Sequence, residues 1–357
     1  MKIKKERAAV PYSCLIDNIK VLLIFLVVFN HIIAFNLVKV DTVVRYVWYA
    51  ITIFHMPAFV FISGYFMWKA DEISIRKPIQ LIVEVIVFQE LIALSDVWIK
   101  GASISHCIMA LVPKNYFVTL YTALYIICPL INREFSVLSK DQFKKWIYIL
   151  VILFAVEPIT VDIIEGFLGK SLMETSTIGI LESDWGYTIV TFLLVYIVAS
   201  YCGKFNIHWS VEKSIFVFCS ATVILAIWKM IEVKIGTSIG AEHYQNPVII
   251  IEAISAFMLF SNFKIQSRII NQLSKGCFTV FIVHSRFIQI YPILNPDKME
   301  LIGLIGNLFI YTIVLFAICD FLGLWYAFLE KRMFDFIENK IGFYRLNIGE
   351  NKTNIGE

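Results

Sequence analysis

Phe54–Phe66, with the sequence FHMPAFVFISGYF, places a histidine, a proline and a serine–glycine pair inside a strongly apolar run. A run of this composition can enter a bilayer, and lipid accepts an ionisable side chain only where protein or water receives it. His55 is therefore a candidate functional residue. Pro57 lacks a backbone N–H and so leaves a carbonyl one turn upstream that needs another donor.

The composition of the whole chain is that of an integral membrane protein. Of its 357 residues, 59% are hydrophobic and 17% are charged, and the mean hydropathy is +0.76. Soluble domains are about 45–50% apolar and about 25% charged. A net charge of +3 with scattered basic residues excludes a nucleic-acid-binding surface. The seven cysteines show no paired CxxC spacing, so we interpret them as small hydrophobes and predict no metal site.

Apolar runs of spanning length predict an all-α bundle of about ten transmembrane helices. The runs are Ile19–Val38, Tyr46–Met67, Pro78–Trp98, Tyr116–Ile131, Trp146–Val161, Gly186–Cys202, Ser214–Ile231, Asn246–Phe263, Gly276–Tyr291 and Leu301–Leu329. Of the 31 lysines and arginines, 21 fall in the set of links that holds both termini and 7 in the opposite set. This bias predicts that both termini are cytoplasmic. We expect one transmembrane domain over residues 1–335 and a short polar cytoplasmic tail over 336–357.

A basic group and an imidazole are aligned on the first predicted helix. Lys20 and His31 are eleven residues apart, which is about three turns, so both lie on one face. If Lys20 marks the inner boundary, His31 lies ~16 Å deeper, near the middle of a ~30 Å hydrocarbon core. Asp17 precedes Lys20 by one turn and can pair with it or help to hold a ligand there.

Two further histidines are predicted at the same depth. His55 lies roughly 13 Å from the outer end of the second span, and His284 lies roughly 12 Å from the inner end of the ninth. A structural role in hydrogen bonding between helices stays open for both residues. Equally, Lys20 can be a boundary lysine, and Ser63-Gly64 can serve close helix packing. Tyrosines and tryptophans at the span ends are interpreted as an interfacial belt.

The residues around these groups resemble one known family. The segments are Ile16-Asp17-Asn18-Ile19-Lys20, Val27-Val28-Phe29-Asn30-His31, residues 54–66, Tyr116–Tyr121, Cys128–Asn132, Asn246–Ala253 and Phe278–His284. They are similar to the acyltransferase-3 family, multi-spanning bacterial proteins that O-acylate surface carbohydrates. The resemblance covers most of the chain, and the first three segments are its most specific part.

The resemblance implies an O-acetyltransferase in the bacterial inner or plasma membrane. It implies acetyl-CoA as a cytoplasmic donor substrate, with no permanently bound cofactor, and a carbohydrate hydroxyl acceptor presented outside or on a lipid carrier. His31 matches the family's catalytic histidine. Lys20 matches a basic position that is arginine in many members and is thought to meet the CoA phosphates. The lysine keeps the charge but loses the planar guanidinium fork.

The remaining candidate residues are assigned around this pair. We expect His55, Ser63 and His284 to orient His31 or to stabilise a developing oxyanion. Asp17, Arg76 and Lys77 join Lys20 as candidate donor-binding residues at the inner face. Whether His31 acts as a base or as a transient acyl carrier stays open, as does the oligomeric state.

Two other functions stay open at the level of sequence. A transporter or flippase for a lipid-linked sugar or a small solute would also place polar groups at mid-membrane, although no inverted repeat is evident. A membrane module of the same fold that lacks catalysis and serves assembly is the other alternative. The sequence contains no GxSxG, HExxH or glycine-rich phosphate loop that would suggest different chemistry.

Overall fold

The computed structural model describes residues 12–36, 43–172, 175–178, 184–263, 265–290, 301–340 and 345–347. Its helices are α1 (Tyr12–Asn36), α2 (Val43–Thr52), α3 (His55–Met67), α4 (Arg76–Lys100), α5 (Ser105–Ala110), α6 (Tyr116–Ser136), α7 (Lys140–Val151), α8 (Glu157–Leu168), α9 (Ile189–Lys204), α10 (Val211–Ile235), α11 (Pro247–Ser261), α12 (Arg268–Ile290) and α13 (Leu301–Lys340). A π-helical turn, Ile152–Val156, joins α7 to α8, and a 3-10 turn covers Asp184–Gly186. The predicted all-α class is confirmed.

Five helical segments of the described chain are long and apolar enough to cross a membrane. They are Cys14–Phe35, Arg45–Met67, Lys140–Leu168, Val211–Ile235 and Ile305–Glu338. Helices α9 and α11 are apolar but shorter, within Ile189–Lys204 and Pro247–Ser261. Each of the ten predicted spans overlaps a helix, but length and hydropathy support a membrane crossing only for the five long segments. The protein is a membrane protein, whereas the ten crossings and the cytoplasmic termini stay predictions.

The second predicted span is divided into two helices before its proline. Helix α2 ends at Thr52 and α3 begins at His55, so Pro57 lies in the first turn of α3. A missing N–H costs little there, because first-turn amides have no partner within the helix. At the break the Nδ1 atom of His55 donates to the Thr52 carbonyl oxygen at 2.6 Å. The imidazole thus satisfies a carbonyl that the interrupted helix exposes.

The helices pack as two groups. Helix α12 packs against both α1 and α13, and buried residues such as Val28, Val280 and Cys319 form one apolar cluster there. Helix α3 packs against α9 and α11, and residues such as Phe61 and Phe257 belong to a second cluster. Of the candidate functional residues, Lys20, His31 and His284 lie on helices of the first group, and His55 and Ser63 lie on α3 of the second.

Small residues bring α3 and α9 into close contact. A Cβ atom added at Gly64 would press on the Tyr196 carbonyl oxygen and would lie 2.7 Å from the Ala199 Cβ. In the same interface, a Cβ at Gly203 would press on the Tyr65 carbonyl oxygen. Backbone approach of this kind is how membrane helices gain packing energy without a hydrophobic driving force.

A short sheet ties the C-terminal segment to the start of α4. Strand β1 (Glu72–Ser74) pairs antiparallel with β2 (Arg345–Asn347), with Ile73 opposite Leu346. Next to it, Arg76 forms ion pairs with Asp335, at 2.8 Å, and with Glu338 of α13. Helix α13 continues across residue 335, and the predicted domain boundary there stays a prediction.

The α3–α9 contact predicts a sharp difference between two glycines. Gly64→Ala should lower the thermal midpoint of the detergent-solubilised protein, because overpacking a tight interface costs about 1–3 kcal/mol. Gly306→Ala in α13 is the matched control, since nothing lies within 4 Å of a Cβ added there. It should leave the midpoint unchanged or raise it slightly. Equal midpoints for the two variants would contradict this account of the interface.

Candidate active site

His31 and His284 contact each other across the α1–α12 interface. The Nδ1 atom of His31 lies 3.3 Å from the Nε2 atom of His284, and the ring centroids are 4.8 Å apart. The same Nδ1 atom also lies 2.9 Å from the carbonyl oxygen of Val27, which is one turn earlier in α1. Lys20 faces the same neighbour, because its Nζ atom donates to the Ser274 carbonyl oxygen of α12 at 2.6 Å. Lys20 and His31 thus share a helix face, as their spacing predicts.

These contacts fix which nitrogen of His31 carries the proton. A carbonyl oxygen can only accept, so the Nδ1 atom facing Val27 is the protonated one in the neutral ring. His284 likewise directs its Nδ1 atom to the Val280 carbonyl oxygen, at 2.9 Å, which leaves its Nε2 atom as an acceptor for His31. The Nε2 atom of neutral His31 therefore keeps its lone pair and can act as a base or a nucleophile.

His55 follows the same pattern on a third helix. Its Nδ1 atom donates to Thr52, as described, and its Nε2 atom lies 3.4 Å from the hydroxyl oxygen of Tyr244. His31 and His55 line one cavity of about 360 Å³, which we call the histidine cavity. The three predicted histidines thus belong to one region, since His284 contacts His31 and His55 lines the same cavity as His31.

The histidine cavity is rich in tyrosine and in charged groups. Tyrosines from α2, α6 and two connecting segments line it, together with a basic residue of α2 and an ion pair between α10 and the segment after it. These residues are Tyr46, Tyr49, Tyr116, Tyr187, Tyr244, Arg45, Lys229 and Glu242. The rings of Tyr116 and Tyr187 are 3.9 Å apart, and those of Tyr187 and Tyr244 are 5.0 Å apart. Sequence reasoning assigned such tyrosines to an interfacial belt. They come from separate segments, so no spacing in the chain marks them as one group.

Side chains of α10 hold the segment between α10 and α11, which carries Glu242 and Tyr244. We call these contacts the brace. Glu232, buried in α10, accepts hydrogen bonds from the backbone N–H groups of Ile239, at 3.0 Å, and Ala241, at 3.1 Å. Lys229 bridges Glu232 and Glu242, with 2.6 Å to each carboxylate.

Asn246 holds the C-terminal end of the segment between α10 and α11. Asn246 caps α11 by accepting from the Val248 N–H at 2.9 Å, and its Nδ2 atom donates to the Gly240 carbonyl oxygen. An asparagine cap followed by Pro247 is a strong helix start, because both residues suit an unpaired first turn. Local sequence signals therefore position this wall of the histidine cavity.

Lys20 lines a second cavity. Its volume is about 320 Å³, and Asp17, Lys77, Ser63 and Tyr121 also line it. We call it the lysine cavity. Its wall is mostly apolar, with Lys20 and Lys77 as its cations, and the Ser63 hydroxyl lies 3.0 Å from that of Tyr121. Ser63 is therefore on the lysine side, apart from His31.

Arg76 occupies a different environment from the other predicted donor-binding residues. Its guanidinium is held by Asp335 and Glu338, and it is not among the residues that line the lysine cavity. Its predicted role in donor binding stays a prediction. Among the described residues, histidine, cysteine, aspartate and glutamate form no group of three or more that could hold a metal ion.

The match to a family model identifies the class of protein. The model described as an acyltransferase domain matches residues 15–324, nearly the whole chain. The chain belongs to the acyltransferase-3 family and is an acyltransferase, which confirms the resemblance found in the sequence. No curated protein and no solved structure gives a significant match to it.

The brace beside the histidine cavity gives a testable expectation. Glu232→Ala would strip two buried backbone N–H groups and Lys229 of their shared acceptor, so we expect it to destabilise the protein by about 3–5 kcal/mol. Thermal unfolding in detergent and limited proteolysis between α10 and α11 would measure this. Glu134→Ala, at an exposed position of α6, is the control and should stay within about 0.5 kcal/mol of wild type. Similar unfolding of both variants would show that the brace contributes nothing.

Proposed function

We propose that the protein transfers an acetyl group from acetyl-CoA to a hydroxyl group of a cell-surface or exopolysaccharide unit, with His31 as the group that performs the transfer. One observation carries the proposal: the two hydrogen-bond partners that His31 has among the described residues lie at its Nδ1 atom, which keeps the lone pair on Nε2. His31 also lines a polar cavity where an acceptor hydroxyl can approach it.

The geometry is compatible with two routes. As a general base, the Nε2 atom removes the acceptor proton while the hydroxyl oxygen attacks the thioester carbonyl carbon, and the departing thiolate takes that proton. As a nucleophile, Nε2 attacks the carbonyl carbon first, and the C–S bond breaks to release the CoA thiolate. The acceptor hydroxyl oxygen then attacks the acetyl carbon, the bond from Nε2 to that carbon breaks, and the acceptor proton goes to the thiolate. In both routes His31 becomes positively charged for part of the reaction. The Nε2 atom of His284 and the Val27 carbonyl oxygen stabilise that charge by accepting from Nδ1–H.

The lysine cavity suits the donor. Its volume of about 320 Å³ and apolar wall match the pantetheine arm of acetyl-CoA better than the whole coenzyme. Lys20 uses one N–H on Ser274, so two N–H groups remain for a phosphate, and Lys77 adds a second cation. The predicted cytoplasmic position of both termini would orient this cavity toward the interior of a bacterial cell and its cytoplasmic donor pool. Asp17 can orient Lys20.

The histidine cavity suits a carbohydrate acceptor. Tyrosine rings can pack on the apolar C–H faces of a sugar, and their hydroxyls can hydrogen-bond to it. Glu242 offers a carboxylate for further hydroxyl groups, and Lys229 holds it in place. His55, oriented by Thr52 and next to Tyr244, can accept a hydrogen bond from a further acceptor hydroxyl at its Nε2 atom, and it becomes a donor to a developing oxyanion once that atom is protonated.

The first test compares cells that carry wild-type protein, no protein or His31→Ala. Loss of the imidazole should lower acetyl transfer by at least about a hundredfold, because general base catalysis contributes about 10²–10⁴-fold. Mass spectrometry of the polysaccharide should then show lost acetyl groups on an unchanged polymer. Loss of the polymer itself would support a transporter, and wild-type acetylation in His31→Ala cells would end the assignment.

His284 should act by positioning His31. His284→Leu removes the acceptor for Nδ1–H, so we expect kcat to fall about tenfold, the equivalent of one hydrogen bond of ~1.4 kcal/mol, with KM for acetyl-CoA unchanged. His284→Gln keeps an acceptor oxygen and should recover part of the loss. A purely structural role predicts instead that the two variants lose folded protein together and keep wild-type kcat per folded molecule.

Lys20 should bind the nucleotide end of the donor. Lys20→Met should raise KM for acetyl-CoA about tenfold, since it removes a charge-assisted contact worth ~1.5 kcal/mol or more, and Lys20→Arg should stay near wild type. Acetyl-pantetheine, which lacks the nucleotide, is the matched donor: with it, wild type and Lys20→Met should have the same KM. An equal penalty with both donors would show that Lys20 does not meet the phosphates.

A further inference from the structure

The lysine cavity and the histidine cavity meet at two side chains. Met56 and Phe281 line both cavities, whereas Lys20 lines only the first and His31 only the second. Met56 is 2% exposed and directly follows His55 at the start of α3. Phe281 lies on α12, one turn before His284.

Neighbouring aromatic rings support this boundary. The ring of Phe281 lies 5.5 Å from that of Phe117, which lies 6.0 Å from that of Phe59. Phe281 is also 6.4 Å from the His284 ring, so the boundary is attached to the histidine pair itself. Methionine has flexible torsions and adapts its shape, so it can move aside for a small group without disturbing the rings.

We infer that Met56 and Phe281 form a selective partition, which passes a short acyl group from the lysine cavity to His31 and keeps water of the histidine cavity off the thioester. The inference rests on the proposed function. Among the described residues, Met56 and Phe281 are the side chains that line both cavities, so a donor that extends from Lys20 in one cavity to His31 in the other passes them. Their bulk then determines which acyl chains pass, and their apolar surface excludes water from the thioester while it lies in the lysine cavity.

When the partition no longer excludes water, the expected side reaction is hydrolysis of the acetyl-CoA thioester. Water attacks the thioester carbonyl carbon, the C–S bond breaks, and a proton from that water goes to the departing thiolate. The products are acetate and free CoA, and no acceptor is consumed. A leak of this kind is measurable as CoA release without acceptor.

The test uses the full-length protein in proteoliposomes with acetyl-CoA and butyryl-CoA. Met56→Ala and Phe281→Ala should each raise CoA release without acceptor by at least about fivefold relative to transfer, and should raise butyryl relative to acetyl transfer by about tenfold. Met258→Ala and Phe257→Ala are matched controls, because they truncate fully buried side chains of the same types in α11 that line neither cavity. Their ratios should stay at the wild-type values.

A second measurement needs no turnover. A Ser63→Cys variant places a reporter thiol in the lysine cavity. A membrane-impermeant maleimide should label this variant more than the protein without the substitution when it is added on one face of the membrane, and no more than that protein when it is added on the other face. Adding Met56→Ala should allow labelling from both faces. Labelling from both faces while Met56 is present, or wild-type ratios in Met56→Ala and Phe281→Ala, would overturn the partition alone. No acyl transfer by the wild-type protein would overturn the proposed function, and the partition's role with it.

Discussion

Hydrocarbon offers no hydrogen-bond partner, so every polar group that enters the bundle must find one within the protein. The three imidazoles meet this constraint in one way: each uses its Nδ1 atom to donate to a carbonyl oxygen of its own chain segment, at Val27, Thr52 or Val280. The need for a hydrogen-bond partner within the protein thereby fixes the tautomer of each histidine. It also leaves each Nε2 atom as a lone-pair site, which is the form that chemistry on a hydroxyl needs.

The contact between His31 and His284 depends on how the helices are grouped. Helix α12 brings Ser274 to Lys20 and His284 to His31, so one interface holds both the cation and the imidazole. The second group, around α3, supplies His55 and Met56 from the opposite side, and close α3–α9 packing at Gly64 holds α3 in place. The two cavities are the space between the groups. Under the proposed function, this arrangement gives the donor and the acceptor separate cavities, with His31 in the cavity of the acceptor.

Periodicity predicted the parts of this account that lie on one helix. The eleven-residue spacing of Lys20 and His31 correctly predicted their shared face, and hydropathy correctly predicted an all-α membrane protein. Features that depend on contacts between distant segments could not be predicted from the sequence. The tyrosines of the histidine cavity come from several elements, and the β1–β2 pair joins residues far apart in sequence. The division into two cavities at Met56 and Phe281 was equally hidden, because an apolar side chain in an apolar helix carries no signal of what it separates.

The measurement that tests the central claim most directly is a structure with a non-hydrolysable acetyl-CoA analogue, in which a methylene group joins sulfur to the acetyl carbonyl. The account predicts the nucleotide end near Lys20 and the carbonyl carbon about 3–3.5 Å from the Nε2 atom of His31, past the Met56 and Phe281 side chains. An analogue whose acetyl group lies beside another side chain, with His31 still closed off from it, would contradict the account.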